Sequence, residues 1–134
     1  MTDRRATCSC GRLSVQARGE PVRVSVCHCL CCQRRTGSAF GVQARYAEDA
    51  VTVAGESRTF ARAGDEGTTA TFHFCLDCGV TVYWRANAIP GFVTVPVGAF
   101  ADPAFPAPTV VVYGDRQHPW LRLADDIASL DPLT

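Results

Sequence analysis

The sequence predicts a small, mainly β domain of antiparallel strands that is held together by metal ions. Short segments alternate apolar and polar residues, glycine and proline separate them, and eight cysteines fall in tight groups. A chain of 134 residues has room for one hydrophobic core of normal size. Residues 1–134 are therefore expected to form a single domain with little helix.

The strands are predicted from alternation and from runs of β-branched residues. They fall at residues 13–18, 22–26, 40–45, 70–74, 81–85, 93–97 and 109–113. Pro96, inside one of these segments, predicts an edge strand or a bulge. Helix signals are few: residues 31–36 can form one turn, and Leu123, Ile127 and Leu130 give a short apolar stripe near the end.

The composition excludes several classes of protein. Apolar residues make up 47% and charged residues 19%, which suits a globular chain, and no apolar run reaches the roughly 18 residues that span a bilayer. The first residues show no apolar signal segment, so a cytoplasmic, reducing location is expected. All 13 basic residues are arginine and 13 acidic residues balance them. Without a basic face, nucleic acid is not an expected partner.

The eight cysteines are spaced for metal binding and not for disulfides. They form the groups C-x-C at 8–10, C-x-C-x-C-C at 27–32 and C-x-x-C at 75–78. Cysteines one or two residues apart are poor disulfide partners for each other, but they suit a single metal ion. A reducing compartment also disfavours disulfides.

The first and last groups predict one closed zinc site. Cys75 and Cys78 form a zinc knuckle followed by Gly79, and Cys8 and Cys10 form a second half-site that is also followed by a glycine. Two such halves complete a tetrahedral site of four cysteines, which is typical of structural zinc. The spacing leaves open an alternative in which Cys8 and Cys10 pair with the middle group.

The middle group predicts three converging thiolates, those of Cys27, Cys29 and Cys32. Cys31 directly precedes Cys32, and neighbouring side chains diverge, so Cys31 is a poor fourth ligand. A site of three protein ligands with an open position is typical of catalytic zinc. From the spacing alone a second closed site remains an alternative, with a fourth ligand from Cys31, His28, His73 or His118.

The ordered set of motifs resembles the glutathione-dependent formaldehyde-activating enzyme family, which also includes centromere protein V. The resemblance rests on residues 8–11, 27–38, 74–79, 83–84, 90–91, 95–103 and 118–121. It implies a folded β-sheet called a β-tent, with structural zinc on Cys8, Cys10, Cys75 and Cys78. It also implies a second, catalytic zinc on Cys27, Cys29 and Cys32, whereas the position of Cys31 is not a ligand in the family.

The resemblance also implies an activity, the joining of glutathione to formaldehyde to give S-hydroxymethylglutathione, or the reverse carbon–sulfur lyase reaction. Zinc on three thiolates suits a soft fourth ligand such as a substrate thiol better than it suits water activation. Arg34 and Arg35 follow the metal loop directly and are candidates for holding the carboxylates of glutathione.

Two further expectations concern partners and rival functions. Two zinc ions are expected, of which the second is the more labile, and an edge strand can support a homodimer. The alternative function is a non-catalytic zinc-binding scaffold of the same fold, since function belongs to sites and not to folds. A methionine sulfoxide reductase would need a catalytic cysteine outside the metal groups, and a nucleotide deaminase would need an H-x-E motif.

Overall fold

The computed structural model describes residues 2–64 and 67–130, which are mainly β. The strands are β1 (Asp3–Thr7), β2 (Ser14–Arg18), β3 (Arg23–Cys27), β4 (Gly41–Ala47), β5 (Val51–Ala54), β6 (Ser57–Ala63), β7 (Thr69–Cys75), β8 (Thr81–Ala86), β9 (Phe92–Pro96), β10 (Val110–Val112) and β11 (Ala128–Leu130). A single α-helix among the described residues, α1 (Leu30–Thr36), follows β3. Short 3₁₀ turns cover Glu48–Ala50, Val97–Phe100 and Gly114–Arg116.

The strands form two sheets. The larger has the order β11-β10-β3-β4-β9-β8-β7-β6, and the smaller has the order β1-β2-β5. Neighbouring strands are antiparallel except at one end of the larger sheet, where β10 runs parallel to both β3 and β11. The prediction of a mainly antiparallel β fold is confirmed, and the parallel end was not foreseen.

The hydrophobic core fills one face of the larger sheet. Alternate residues of β4 and β9, among them Ala44, Tyr46, Val93 and Val95, are fully buried there together with Val15 of β2. Because successive side chains of a strand point to opposite faces, the intervening polar residues of β3, β4 and β9 all share the other face. That second face carries the candidate site.

Several elements differ from the sequence prediction. Strands β1, β5, β6 and β11 were missed, in part because β6 is an exposed edge strand with little apolar alternation. The edge or bulge predicted from Pro96 is wrong: β9 lies between β4 and β8, and Pro96 is its last residue, where it caps the Val97–Phe100 turn. The stripe of Leu123, Ile127 and Leu130 forms no helix; Leu130 instead ends β11, which pairs with β10.

No helix in the described part of the chain is long and apolar enough to cross a membrane.

Candidate metal centres and an arginine-lined cleft

Four cysteine sulfurs from two distant parts of the sequence meet in one cluster. Those of Cys8, Cys10, Cys75 and Cys78 all lie within 4.8 Å of one another. The Sγ atom of Cys10 lies 3.6 Å from that of Cys8 and 3.5 Å from that of Cys75. A disulfide needs about 2.05 Å, whereas a tetrahedral zinc with bonds of about 2.3 Å separates its sulfurs by about 3.8 Å. The spacing therefore fits four ligands of one zinc ion.

The two halves of this four-cysteine cluster fold in the same way. In the first half, the N–H of Cys8 donates to the Leu13 carbonyl and the N–H of Gly11 donates to the Cys8 carbonyl. In the second half, the N–H of Cys75 donates to the Val80 carbonyl and the N–H of Gly79 donates to the Cys75 carbonyl. Gly11 and Gly79 both have left-handed backbone, with φ of 83° and 78°. Glycine adopts this conformation without strain, so each knuckle can turn tightly enough to direct two sulfurs inward.

Backbone N–H groups also point at the sulfurs. Leu13 donates to the Cys8 sulfur at 3.3 Å and Asp77 donates to the Cys75 sulfur at 3.4 Å. Backbone hydrogen bonds from Val80, and then from Cys10, lower the pKa of Cys78 to about 6. Such bonds stabilise thiolates, the form that binds metal.

The remaining sulfurs of interest form a second cluster. Those of Cys27, Cys29 and Cys32 lie within 4.8 Å of one another, and all three residues are buried. Hydrogen bonds from Cys27, and then from Cys32, lower the pKa of Cys29 to about 2, and the bond to Cys29 raises the pKa of Cys27. Three thiolates this close repel one another, so a divalent cation is what would allow all of them to ionise.

Helix α1 brings the three sulfurs together. Cys29 caps its N-terminus, with the Sγ atom accepting from the N–H of Cys32 at 3.2 Å, and Gly37 ends it in left-handed backbone with φ of 68°. Cys27 is the last residue of β3 and pairs with Gly41 of β4. A Cβ atom at Gly41 would lie 3.4 Å from the Cys32 Cβ, so glycine allows β4 to pass close beneath the helix.

The proposed alternatives for a fourth ligand lie elsewhere in the described structure. The half-exposed Cys31 is outside the three-sulfur group, and no other Cys, His or carboxylate of the described residues joins it. His28 is fully buried with its ring 6.1 Å from that of Phe40. His73 is hydrogen-bonded to Ser57, and His118 is hydrogen-bonded to the Gln33 side chain. The arrangement favours an open three-sulfur site over a closed one.

The three-cysteine cluster opens onto a cleft of about 390 Å³. The cleft is formed by the polar face of the larger sheet, since its lining includes residues of every strand from β10 to β6 together with α1. Its arginines are Arg23, Arg34, Arg45, Arg62 and Arg116. Its volume lies in the range of small-molecule sites.

Comparison with known proteins identifies the family. The family model of the glutathione-dependent formaldehyde-activating enzyme matches residues 3–116. The chain belongs to this family. A crystal structure of a Rhodobacter sphaeroides protein shares the fold, with a TM-score of 0.57 and 21% sequence identity over 74% of this chain and 91% of that one. A search of curated proteins gave no match.

In this member of the formaldehyde-activating family, the two arginines expected to hold substrate are placed differently. Arg34 lines the cleft, as expected of a binding residue. Arg35 does not; its guanidinium lies 4.5 Å from the centre of the Trp84 ring and 6.0 Å from that of Phe72. This cation–π contact packs α1 against β8, while the substrate-holding role expected of Arg35 stays a prediction.

Sequence reasoning missed most of the cleft. Arg23 and Arg45 are the polar positions of alternating strands and lie directly opposite each other in register. Alternation of polar and apolar residues predicts such positions, but the same alternation is equally typical of a sheet face that is exposed to solvent. Arg62 lies on the unpredicted edge strand β6, and Arg116 lies in a 3₁₀ turn. No motif in the sequence around either residue predicts that it lines the same cleft as the cysteines.

Tyr113 is a further residue of the site that the sequence did not reveal. It lines the cleft and packs against the three-cysteine cluster, and its backbone is left-handed with φ of 54°. A bulky residue adopts this conformation only where its surroundings hold it. Here Gln33 of α1 donates to the Arg116 carbonyl at 3.2 Å and to the His28 carbonyl at 2.9 Å, which ties this segment to the metal loop.

Proposed function

We propose that this chain is a zinc-dependent carbon–sulfur lyase that joins or cleaves a thiol–aldehyde adduct. Family membership favours glutathione and formaldehyde as the pair, with S-hydroxymethylglutathione as their product. The observation that carries the proposal is the group of three cysteine sulfurs, with no fourth protein ligand among the described residues, at the wall of an arginine-lined cleft. An open position beside an anion-binding surface is what a charged thiol would need.

The two clusters receive different roles in the proposal. Cys8, Cys10, Cys75 and Cys78 would hold a structural zinc, because four sulfurs saturate a tetrahedral ion. Cys27, Cys29 and Cys32 would hold the second zinc. Bound there, zinc would supply a soft acceptor that keeps a substrate thiol deprotonated and nucleophilic at neutral pH.

The protein's own groups then bind and orient the substrate. The arginines of the cleft would hold the carboxylates of the thiol through paired N–H donors. The buried cysteines keep the reacting sulfur at the wall of the cleft, where Trp84 and Val112 provide apolar surface. In the synthetic direction the sulfur–carbon bond forms and the thiol proton is transferred to the former carbonyl oxygen. The reverse reaction restores thiol and aldehyde.

The proposal has three accompanying parts. Residues 1–134 act as one zinc-binding domain of the β-tent type. The protein works in the cytoplasm, where thiols are kept reduced. A homodimer would form through an edge strand, for which the exposed β6 is the longest candidate.

The test measures zinc per chain with and without glutathione, followed by X-ray absorption at the zinc edge. We expect two zinc ions per chain, one of which gains a fourth sulfur only when glutathione is added. Cys32→Ser should abolish adduct formation from glutathione and formaldehyde, whereas Cys31→Ser, in the same helix but outside the cluster, should retain it. A second zinc saturated by protein ligands and indifferent to glutathione would support a non-catalytic scaffold instead.

A further inference from the structure

The charge of the cleft differs from that of the whole protein. The chain is neutral, with 13 basic and 13 acidic residues. The described lining of the cleft nevertheless contains arginines at 23, 34, 45, 62 and 116 and no aspartate or glutamate. Random placement would mix the two signs, so this cleft concentrates positive charge at the three-cysteine cluster.

Two of these cations face each other across neighbouring strands. Arg23 of β3 and Arg45 of β4 are directly opposite in register, on the face that also holds Cys27. Like charges placed opposite each other destabilise a sheet. Burial, and then the charge of Arg23, lower the pKa of Arg45. An anion lying between the two guanidinium groups would remove this repulsion.

A third cation offers an unused donor. The Nε atom of Arg62 is buried and has no hydrogen-bond partner among the described residues, while its guanidinium lies 5.1 Å from the centre of the Phe72 ring. A buried unpaired N–H group is costly, and a carboxylate or phosphate oxygen would satisfy it. The ring of Phe72 keeps the guanidinium plane in place at the cleft wall.

The spacing of these groups sets the length of the ligand. Arg23 precedes Cys27 by four residues on the same strand, which corresponds to about 13 Å between the two Cα atoms. An anionic group held by Arg23 would therefore be separated from a sulfur bound at the cysteines by about the length of a small peptide.

We infer that the cleft selects its thiol by negative charge, favouring anionic groups that are held by Arg45, Arg62 and the neighbouring arginines and disfavouring an ammonium group on the same thiol. The inference rests on the proposed function for the identity of the reacting group, a thiol, but the binding of anions does not depend on turnover. It also refines the choice of substrate. Glutathione carries two carboxylates that suit the arginines and one ammonium that meets no carboxylate in the described lining.

The test compares unreactive thioethers on the zinc-loaded protein by titration calorimetry. S-methylglutathione is the reference, and in N-acetyl-S-methylglutathione a neutral acetamide replaces the ammonium group. We expect N-acetylation to tighten binding by about threefold to tenfold, because it removes repulsion from several cations. The diethyl ester of S-methylglutathione should bind at least about tenfold more weakly, because it loses both charge-assisted pairs.

Two further ligands distinguish the source of the anionic groups. S-methylmercaptosuccinate is a dicarboxylate and S-methyl-4′-phosphopantetheine carries a phosphate. Each is compared with the cationic S-methylcysteamine. Tighter binding of the dicarboxylate would identify a polycarboxylate thiol, and tighter binding of the phosphate would identify a phosphorylated thiol. If neither binds better than S-methylcysteamine, the inference is wrong.

Variants locate the effect within the cleft. Arg45→Gln and Arg62→Gln should each reduce the gain from N-acetylation, whereas Arg58→Gln, an exposed arginine on the same strand as Arg62 but outside the cleft, should preserve it. Unchanged gains in both cleft variants, or N-acetylation that leaves binding equal or weaker, would overturn the inference. If the thioethers bind as expected but the wild type forms no thiol–aldehyde adduct, the charge selection stands and the lyase proposal fails.

Discussion

The division of the cysteines into a structural and an open cluster predicts unequal effects of two serine substitutions. Cys75 is 1% exposed and is the last residue of β7. It shares its cluster with Cys8 and Cys10, which follow β1, and with Cys78. Cys32 is equally internal at 5% exposed, but it lies at the wall of the cleft and its cluster has only three sulfurs. Burial alone would therefore predict similar effects.

The metal makes the effects differ. A structural zinc contributes about 10–16 kcal/mol of folding-linked binding energy, or roughly 2.5–4 kcal/mol for each of four sulfurs. The net stability of a domain is only about 5–15 kcal/mol. At 134 residues the unfolding entropy is about 0.28 kcal/mol/K, so a loss of 3 kcal/mol lowers Tm by about 10 °C. Cys75→Ser should thus lose at least about 10 °C, or fail to fold.

Cys32→Ser should lose less than about 4 °C, corresponding to about 1 kcal/mol. The bonds that hold α1 at this position use the backbone of Cys32, whose N–H donates to Cys29 and whose carbonyl accepts from Thr36. The assay is thermal unfolding followed by circular dichroism, with released zinc measured in parallel and Cys31→Ser as the matched control. If Cys32→Ser lowers Tm as much as Cys75→Ser does, the assignment of structural and open sites is incorrect.

The remaining predictions concern the turns, the helix packing, the metal and the nucleic-acid partner. Gly55→Ala should lower the free energy of unfolding by more than about 2 kcal/mol, because the added Cβ would lie 1.9 Å from the Arg12 carbonyl oxygen. At Gly91 an added Cβ meets nothing within 4 Å, so Gly91→Ala should lower it by about 1 kcal/mol. Urea denaturation measures both changes. Arg35→Ala should lower stability by about 1 kcal/mol and shift the fluorescence of Trp84, and Arg35→Lys should retain part of the contact. Prolonged treatment with a strong chelator should abolish cooperative unfolding, and a chain that melts normally without zinc would contradict a structural role. Random duplex DNA should show no micromolar binding in a mobility-shift titration at physiological salt.

The clusters were more predictable than the sheet that carries them. Each zinc knuckle is local: a pair of cysteines and a following glycine define a turn, whatever the rest of the chain does. The convergence of Cys27, Cys29 and Cys32 was likewise contained in six consecutive residues, and the helix cap at Cys29 brings it about. By contrast, strands such as β6 form because they complete hairpins, and their own residues give little alternation.

The sequence by itself determined a mainly β chain, three groups of cysteines spaced for metal binding and a resemblance to one enzyme family. These follow from spacing and periodicity, which act over a few residues. Only the tertiary structure decided that Cys8 and Cys10 meet Cys75 and Cys78, that Arg35 packs on Trp84, and that Arg45 and Arg62 share a cleft. The physical reason is that alternation fixes which side chains share a face of the sheet, whereas strand order and sheet curvature decide whether that face meets solvent or encloses a substrate.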